Sequence, residues 1–166
     1  MHDINNNDST LLVAKLAQLL EVQGKRVTVA ESCTGGLLAA ALTALPGSSA
    51  WFEFGFVTYS NRAKQQLLGV PGEIFDREGA VSAACVTAMV EGALARSGAD
   101  LGVAISGIAG PDGGSVTKPV GTVWLGWGRA GKKPDTCCLL LSGSRAEVRE
   151  QAVNQVLIRL LQTLEK

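Results

Sequence analysis

The chain has 166 residues, 46% of them hydrophobic and 18% charged, which is the composition of an ordinary soluble domain with a sizeable core. Its 15 basic and 15 acidic side chains give a formal net charge of zero, and the lack of any basic run argues against nucleic acid as the main partner. No apolar run approaches the roughly 18 residues of a membrane span, and no signal peptide precedes the domain, so we expect a cytoplasmic protein outside the membrane.

Hydrophobic periodicity predicts one domain over residues 9–166 behind a flexible lead of residues 1–8. Leucines recur at helical spacing near the start, and β-branched or aromatic runs bounded by glycine and proline mark the strands. The predicted elements, in chain order, are a helix at about 9–23, a strand at 26–32, a helix from Thr34 to Pro46, a strand within 51–60, a short helix capped by Asn61, a helical turn between Gly72 and Gly79, a helix from Ser82, strands at 99–106, 122–128 and 136–142, and a long final helix.

The order of these elements predicts the fold. Alternating strands and helices favour a single-domain α/β/α sandwich with a mixed, mainly parallel sheet. The continuous apolar run at 99–106 is typical of a strand that is covered on both faces. The strands at 122–128 and 136–142 follow each other closely and are expected to pair antiparallel. Ser144 and Glu147 form a capping box that starts the last helix.

Histidine and cysteine usage excludes several chemistries. The only histidine is His2, in the N-terminal lead, so a Ser-His-Asp triad, a Cys-His pair and a histidine-based metal site are all excluded. The cysteines show neither a C-x-x-C pair nor metal-ligand spacing, so we interpret them as reduced and mostly buried thiols. We expect neither a metal nor a cofactor. The cysteines are Cys33, Cys85, Cys137 and Cys138.

Three polar or glycine-rich segments follow predicted strands. Ligands of open α/β sheets bind beyond the carboxyl ends of the strands, so three parallel strands would bring these segments to one edge of the sheet. The segments are ESCTGG at 31–36, YSNRAK at 59–64 and SGIAGPDGG at 106–114.

The ESCTGG segment has more than one interpretation. Its glycines permit a tight turn and leave helix N–H groups uncovered, and these groups, with the helix dipole, favour a phosphate or the oxyanion of a tetrahedral intermediate. In the simpler interpretation, Ser32 or Thr34 only caps the following helix. The residues alone leave both interpretations open.

The other two segments are ambiguous in the same way. With Asn61 as the N-cap, Lys64 lies at the third helical position, where a cation is mildly unfavourable, and it is either a surface lysine or directed at a specific group. Tyr59 either packs at the end of its strand or faces the site. The loop 107–121 has five glycines and two prolines, which suits a ligand-binding loop or a flexible connection. Asp112 fits a turn.

Without a usable histidine, a serine nucleophile needs another base, and lysine is the known substitute. Lys64 would have to be neutral, so its pKa would fall from about 10.4 toward roughly 7–8 through burial or a cation such as Arg62. Cys33 is the competing nucleophile. Strand alternation would place Ser32 and Cys33 on opposite sides, so only one of them is expected to reach the site, and the spacing does not select between them.

Nearly the whole chain, about residues 10–164, resembles the CinA C-terminal domain family, and in particular its free-standing nicotinamide-nucleotide amidases. The resemblance is to the free-standing form, so we expect a protein without the N-terminal domain that many CinA proteins carry. The stretches that carry the resemblance are TVAESCTGGLLAAALT, GSSAWFEFGFVTYSNRAKQQLLGV, GAVS and ISGIAGPDGGSVTKPVGTVW.

The resemblance implies a metal-free amidohydrolase without a cofactor, built as a single α/β/α sandwich and commonly dimeric. Its substrate would be a pyridine nucleotide: nicotinamide mononucleotide and water would give nicotinate mononucleotide and ammonia, in pyridine-nucleotide recycling. Ser32 matches the proposed nucleophile of the family and Lys64 its proposed base, and Tyr59, which matches a residue beside them, is the third expected catalytic residue.

The chemistry of the residues fits this expectation. Ser32 would attack the carboxamide carbon while Lys64 takes its proton, and backbone N–H groups of the ESCTGG turn would hold the oxyanion. The phosphate would bind the glycine-rich loop or the arginine that opens the last helix. The residues expected to bind substrate are Thr34, Gly35, Gly36, Ser106, Gly107, Gly110 and Arg145.

Two other functions stay open at this stage. One is a non-catalytic nucleotide-binding or regulatory module on the same scaffold, which would bind a mononucleotide without turnover. The other is a hydrolase for a different carboxamide.

Overall fold

The computed structural model of the chain describes residues 8–166. The predicted lead and His2 therefore lie outside the described residues, except for Asp8, whose carboxylate accepts a hydrogen bond from the Thr10 N–H and caps the first helix. No helix of this described part is both long and apolar enough to cross a membrane. The helices are α1 (Ser9–Gln23), α2 (Leu37–Thr43), α3 (Asn61–Leu68), α4 (Gly72–Arg77), α5 (Ala83–Ser97) and α6 (Arg145–Leu164), and the strands are β1 (Val27–Glu31), β2 (Phe52–Val57), β3 (Leu101–Gly107), β4 (Thr122–Arg129) and β5 (Asp135–Leu140).

The strands of residues 8–166 form one five-stranded sheet in the order β2-β1-β3-β4-β5. β1 pairs in parallel with β2 and β3, whereas β4 pairs antiparallel with both β3 and β5. Only β4 is reversed, so the predicted mixed, mainly parallel sheet is confirmed. The carboxyl ends of β2, β1 and β3 share one edge of the sheet, which is the arrangement that a common site requires.

Helices cover both faces of the sheet because the strand residues alternate between two apolar layers. On one face, Val29 and Val103 pack with α1, α2 and α6. On the other face, the smaller Ala30 and Ala104 pack with α5, whose Met89 belongs to the same cluster. The predicted α/β/α sandwich is thereby confirmed.

Two predicted helix starts at the site edge are wrong. α2 begins at Leu37 rather than at Thr34, because Gly35 and Gly36 have φ values of 56° and 101°, which an α-helix does not allow. α3 is capped by Ser60, whose Oγ accepts a hydrogen bond from the backbone at 3.1 Å, and not by Asn61. Lys64 is therefore the fourth residue of α3 and not the third.

The capping box at the start of α6 is confirmed. The Glu147 N–H donates to Ser144 Oγ at 3.3 Å, and the Ser144 N–H donates to the Glu147 carboxylate at 2.6 Å. This cap sets the first turn of α6 and with it the positions of Arg145 and Arg149. Four residues apart, these two arginines lie on the same face of the helix.

Candidate active site

A cavity of 280 Å³ lies beyond the carboxyl ends of the three parallel strands. Each of the three segments noted in the sequence contributes to its lining, through Ser32, Lys64 and Ser106 among others. The volume is close to the lower end of the range of about 300–1,000 Å³ that is usual for small-molecule sites. The parallel sheet thus brings the three segments together.

Within this cavity, the side chains of Ser32 and Lys64 are in direct contact. Lys64 is 1% exposed, and its Nζ lies 2.9 Å from Ser32 Oγ. The same nitrogen lies 2.9 Å from the Thr58 carbonyl oxygen and 3.3 Å from the Tyr59 carbonyl oxygen. A neutral amine has two N–H groups and one lone pair. When the two carbonyls accept the N–H groups, the lone pair is directed at the Ser32 hydroxyl and can accept its proton.

Burial favours the neutral form of this lysine. Loss of hydration lowers the pKa of Lys64 from its ordinary value, and the opposing effects of Cys85 and Cys33 on that pKa are smaller. Arg62, the cation that the sequence suggested for lowering this pKa, is exposed. Burial is the main cause of the lowered pKa instead. A lowered pKa favours the neutral amine that a general base needs.

Cys33 lines the same cavity, so the prediction that only one of Ser32 and Cys33 reaches it is wrong. Strand alternation stops with β1 at Glu31, and the chain turns immediately afterwards. Burial raises the pKa of the Cys33 thiol to about 11, and hydrogen bonds from the backbone N–H groups of Cys33 and Gly107 lower it only in part. A protonated thiol and a lysine bonded to the serine both favour Ser32 as the nucleophile.

The carboxylate of Glu31 occupies the N-terminus of α2. This side chain is fully buried, and its two oxygens accept hydrogen bonds from the N–H groups of Leu38 and Ala39 at 2.9 and 3.0 Å. The positive end of the helix dipole is therefore already matched by a charge of the protein itself. No sequence spacing points to this contact, because the chain crosses two glycines between the carboxylate and the N–H groups.

The turn at Gly35 and Gly36 therefore does not direct its N–H groups at the site, contrary to the expectation from the sequence. The Gly35 N–H donates to the Ser32 carbonyl oxygen at 3.0 Å and closes the turn on itself. Thr34, Gly35 and Gly36 do not contribute to the lining of the cavity. The structure therefore does not bring these three predicted substrate-binding residues to the site.

The other predicted substrate-binding residues do line the cavity. Ser106 is 1% exposed, and its hydroxyl donates to the Ala80 carbonyl oxygen at 2.8 Å. Gly107 and Gly110 belong to the lining, and the Gly110 carbonyl accepts a hydrogen bond from Arg145 at 2.7 Å. The second arm of the same guanidinium donates to the Tyr59 hydroxyl at 3.0 Å.

Arg149 is a further residue that sequence reasoning missed. Its Nε donates to the Cys33 carbonyl oxygen at 3.1 Å, and one terminal nitrogen donates to the Thr34 carbonyl oxygen at 2.9 Å. The sequence does contain a signal for this residue: Arg149 lies one helical turn after Arg145, in the helix that the Ser144–Glu147 capping box begins.

A wider groove of 620 Å³ lies at the opposite edge of the sheet. Its cations include Lys25 and Lys166, which follow the C-terminal ends of α1 and α6 and complement the negative ends of these helix dipoles. The described residues that line this groove include no serine or cysteine. Among residues 8–166, no group of three or more histidine, cysteine, aspartate or glutamate side chains is placed to hold a metal ion. The serine–lysine cavity is therefore the candidate active site.

The chain belongs to the CinA C-terminal domain family, whose sequence profile matches residues 9–164. It is 54% identical over 153 residues to the nicotinamide-nucleotide amidohydrolase PncC of Pseudomonas putida. The matched region covers 92% of this chain and 95% of that protein. It is 51% identical over 151 residues to PncC of Escherichia coli K12, with 91% and 92% covered. The crystal structure of the competence damage-inducible protein A of Klebsiella pneumoniae matches with a TM-score of 0.92 and 42% identity, over 96% of this chain and 98% of that one.

Proposed function

We propose that the chain is a cytoplasmic amidohydrolase that converts nicotinamide mononucleotide and water into nicotinate mononucleotide and ammonia, in pyridine-nucleotide recycling. Two relatives that carry the name nicotinamide-nucleotide amidohydrolase are 54% and 51% identical to it over nearly their whole length, which supports this substrate. The observation that carries the proposed mechanism is the 2.9 Å contact between Lys64 Nζ and Ser32 Oγ in a buried cavity.

Acylation begins with proton transfer from the Ser32 hydroxyl to the neutral amine of Lys64. The serine oxygen bonds to the carboxamide carbon, and the carbonyl electron pair moves onto its oxygen to give a tetrahedral intermediate. When this intermediate collapses, the C–N bond breaks, and the Lys64 ammonium returns the proton to the departing nitrogen. Ammonia leaves, and an ester joins the nicotinoyl group to Ser32.

Deacylation repeats these steps with water as the nucleophile. Lys64, neutral again, accepts a proton from the water while the hydroxide oxygen bonds to the ester carbon. The C–O bond to Ser32 breaks, and the proton returns to the serine oxygen. Nicotinate mononucleotide is released and the enzyme is restored. The lowering of the Lys64 pKa by burial suits both halves, because the same amine must accept and donate a proton.

The backbone N–H groups of Cys33 and Gly107 are the proposed oxyanion donors. Both residues line the cavity, and both N–H groups lower the pKa of the Cys33 thiol by hydrogen bonding to it. The N–H of the residue after the nucleophile is a common oxyanion donor in serine hydrolases. These two groups replace the turn of Thr34, Gly35 and Gly36, which the sequence suggested for this role.

Arg145 is the proposed anchor of the substrate phosphate. Its guanidinium lies at the cavity, where a planar fork can bind phosphate oxygens. Ser106, Gly107 and Gly110 would contact the rest of the nucleotide, with Tyr59 holding Arg145 in place.

We also propose that the protein forms a homodimer. β2 is an edge strand of the sheet and exposes Phe54 and Val57, which suits pairing with a second copy of the chain. Light scattering of the purified protein tests this proposal, and a monomer at assay concentrations would contradict it.

The decisive test of the proposed function is ammonia release from nicotinamide mononucleotide, compared with release from nicotinamide riboside and from nicotinamide. We expect turnover of the mononucleotide above all, because only it carries the phosphate. Tight binding of the mononucleotide without ammonia release would instead indicate a binding or regulatory module. Equal turnover of nicotinamide would indicate a hydrolase with a different substrate.

A further inference from the structure

Arg149 lies outside the cavity and donates two hydrogen bonds to the turn that carries Ser32. Its two hydrogen bonds end on consecutive backbone carbonyls, those of Cys33 and Thr34. Arg149 forms no ion pair with a carboxylate of residues 8–166, and it does not contribute to the cavity lining. A guanidinium is rigid and planar, so two bonds from one fork fix the orientation of both peptide groups.

The contact with Arg149 affects the position of Ser32 through two planar peptide groups. The Thr34 carbonyl, held by Arg149, shares a planar peptide with the Gly35 N–H. That N–H donates to the Ser32 carbonyl oxygen at 3.0 Å. The Ser32 carbonyl in turn shares a peptide with the Cys33 N–H, the proposed oxyanion donor. The direction of this donor and the position of the serine thus depend on where the Thr34 carbonyl points.

Besides Arg149, backbone hydrogen bonds hold the two ends of the turn: the Ser32 N–H donates to the Ile105 carbonyl and the Leu37 N–H to the Thr34 carbonyl, both at 3.0 Å. Gly35 and Gly36, both at positive φ, have no side chains that could pack, and glycine has more backbone freedom than any other residue. The Thr34 hydroxyl is buried and finds no hydrogen-bond partner among residues 8–166. Without the guanidinium, the Cys33 carbonyl would lose its hydrogen bond from Arg149, and the Thr34 carbonyl would keep only the one from the Leu37 N–H, so the turn would have other conformations available.

We propose that Arg149 is a positioning residue that holds the turn 32–36 in the geometry in which Ser32 attacks. This inference rests on the proposed amidohydrolase function of Ser32. The arginine acts through the turn rather than by contact with substrate. Its positive charge also contributes modestly to lowering the pKa of the Cys33 thiol, so its field extends to the place where the oxyanion forms.

The test compares Arg149→Met and Arg149→Lys with a matched control, Arg96→Met, which removes an exposed arginine from α5. Misplacing a catalytic group by about 1 Å can cost about a hundredfold, so we expect Arg149→Met to lose about tenfold to a hundredfold in kcat for nicotinamide mononucleotide. KM should stay within about twofold of wild type, because no substrate contact is removed. Arg149→Lys keeps a donor and the charge, so its kcat should lie between that of wild type and that of Arg149→Met.

A second readout needs no substrate. A fluorophosphonate probe reacts covalently with an activated serine, and intact-mass spectrometry follows its attachment to Ser32. We expect the labelling rate to fall in Arg149→Met by a factor similar to the fall in kcat. Urea unfolding curves for each variant establish that the protein under assay is folded, and Arg149→Lys supplies the comparison if Arg149→Met does not fold.

Each outcome bears on the proposal. Labelling of Arg149→Met, or of Arg149→Lys in its place, at the rate of Arg96→Met would overturn it. So would a rise in KM without a fall in kcat, because it would place Arg149 in contact with substrate. Wild-type protein that labels at Ser32 but releases no ammonia would contradict the proposed substrate, while the labelling rates would still decide the role of Arg149. Wild-type protein that does not label at Ser32 would overturn both proposals.

Discussion

The Tyr59 hydroxyl accepts a hydrogen bond from the Arg145 guanidinium at 3.0 Å, and this contact joins the segment after β2 to the first turn of α6. The other arm of the guanidinium reaches the Gly110 carbonyl in the loop after β3, at 2.7 Å. One side chain therefore ties together three elements that surround the cavity. A cation so placed is available to a phosphorylated substrate at the same rim.

Arg145→Met is expected to raise KM for nicotinamide mononucleotide by about tenfold to a hundredfold, since a charge-assisted hydrogen bond contributes about 1.5–3 kcal/mol. The same change should have little effect on nicotinamide riboside, which lacks the phosphate. Tyr59→Phe removes only the hydroxyl that holds the arginine and should act in the same direction with a smaller effect. Steady-state kinetics with both substrates measures this, and equal losses for the two substrates would argue against a phosphate contact.

The pH dependence of kcat/KM should follow the ionisation of Lys64. In the proposed mechanism the free enzyme is active with the amine neutral, so activity should rise by about tenfold per pH unit below the pKa of Lys64 and level off above it. Because burial lowers the pKa of Lys64, the plateau should begin below the ordinary lysine value of about 10.4. Activity that is highest in acid and declines through neutral pH would be incompatible with lysine as the base.

Glu31→Gln should destabilise the fold. The buried carboxylate accepts two backbone N–H groups at the positive end of α2, and an amide can offer an acceptor to only one of them. We expect a loss of about 1–3 kcal/mol in the free energy of unfolding. The matched control is Glu53→Gln, which breaks an exposed pair with Arg26 and should cost less than about 1 kcal/mol. Urea denaturation of both variants measures the difference, and equal midpoints would contradict the proposed role.

Cys33 should react slowly with alkylating reagents. Burial raises the pKa of its thiol to about 11, so less than about 0.1% is thiolate at pH 7. Cys138 is exposed and provides an internal comparison in the same sample. Iodoacetamide treatment followed by peptide mass spectrometry should label Cys138 well before Cys33. Preferential labelling of Cys33 would indicate an activated thiol and would reopen its candidacy as nucleophile.

Much of the fold follows from local patterns. Apolar alternation, helical periodicity and the capping box at Ser144 are short-range signals, and they place the strands and α6 correctly. Two features of the site depend instead on where β1 stops and how the glycines bend the chain. Cys33 joins Ser32 in the cavity because β1 ends at Glu31, whereas alternation of Ser32 and Cys33 needs a strand that includes both. Glu31 caps α2 only because positive φ values fold the helix back toward it.

The proposed general base, Lys64, also depends on packing that local sequence patterns do not reveal. Sequence reasoning reached Lys64 by elimination, since His2 was the only histidine, but burial of the lysine is a property of the packed structure. The cation suggested for lowering the pKa of Lys64, Arg62, is a sequence neighbour that points to solvent. Desolvation depends on elements far apart in the chain and therefore has no local signature.

The most direct test of the account is ammonia release from nicotinamide mononucleotide by wild type, Ser32→Ala and Cys33→Ala, each shown to be folded. We predict that Ser32→Ala loses at least about a thousandfold in kcat and that Cys33→Ala stays within about tenfold of wild type. Full activity in Ser32→Ala, or a loss confined to Cys33→Ala, would contradict the Ser32–Lys64 mechanism.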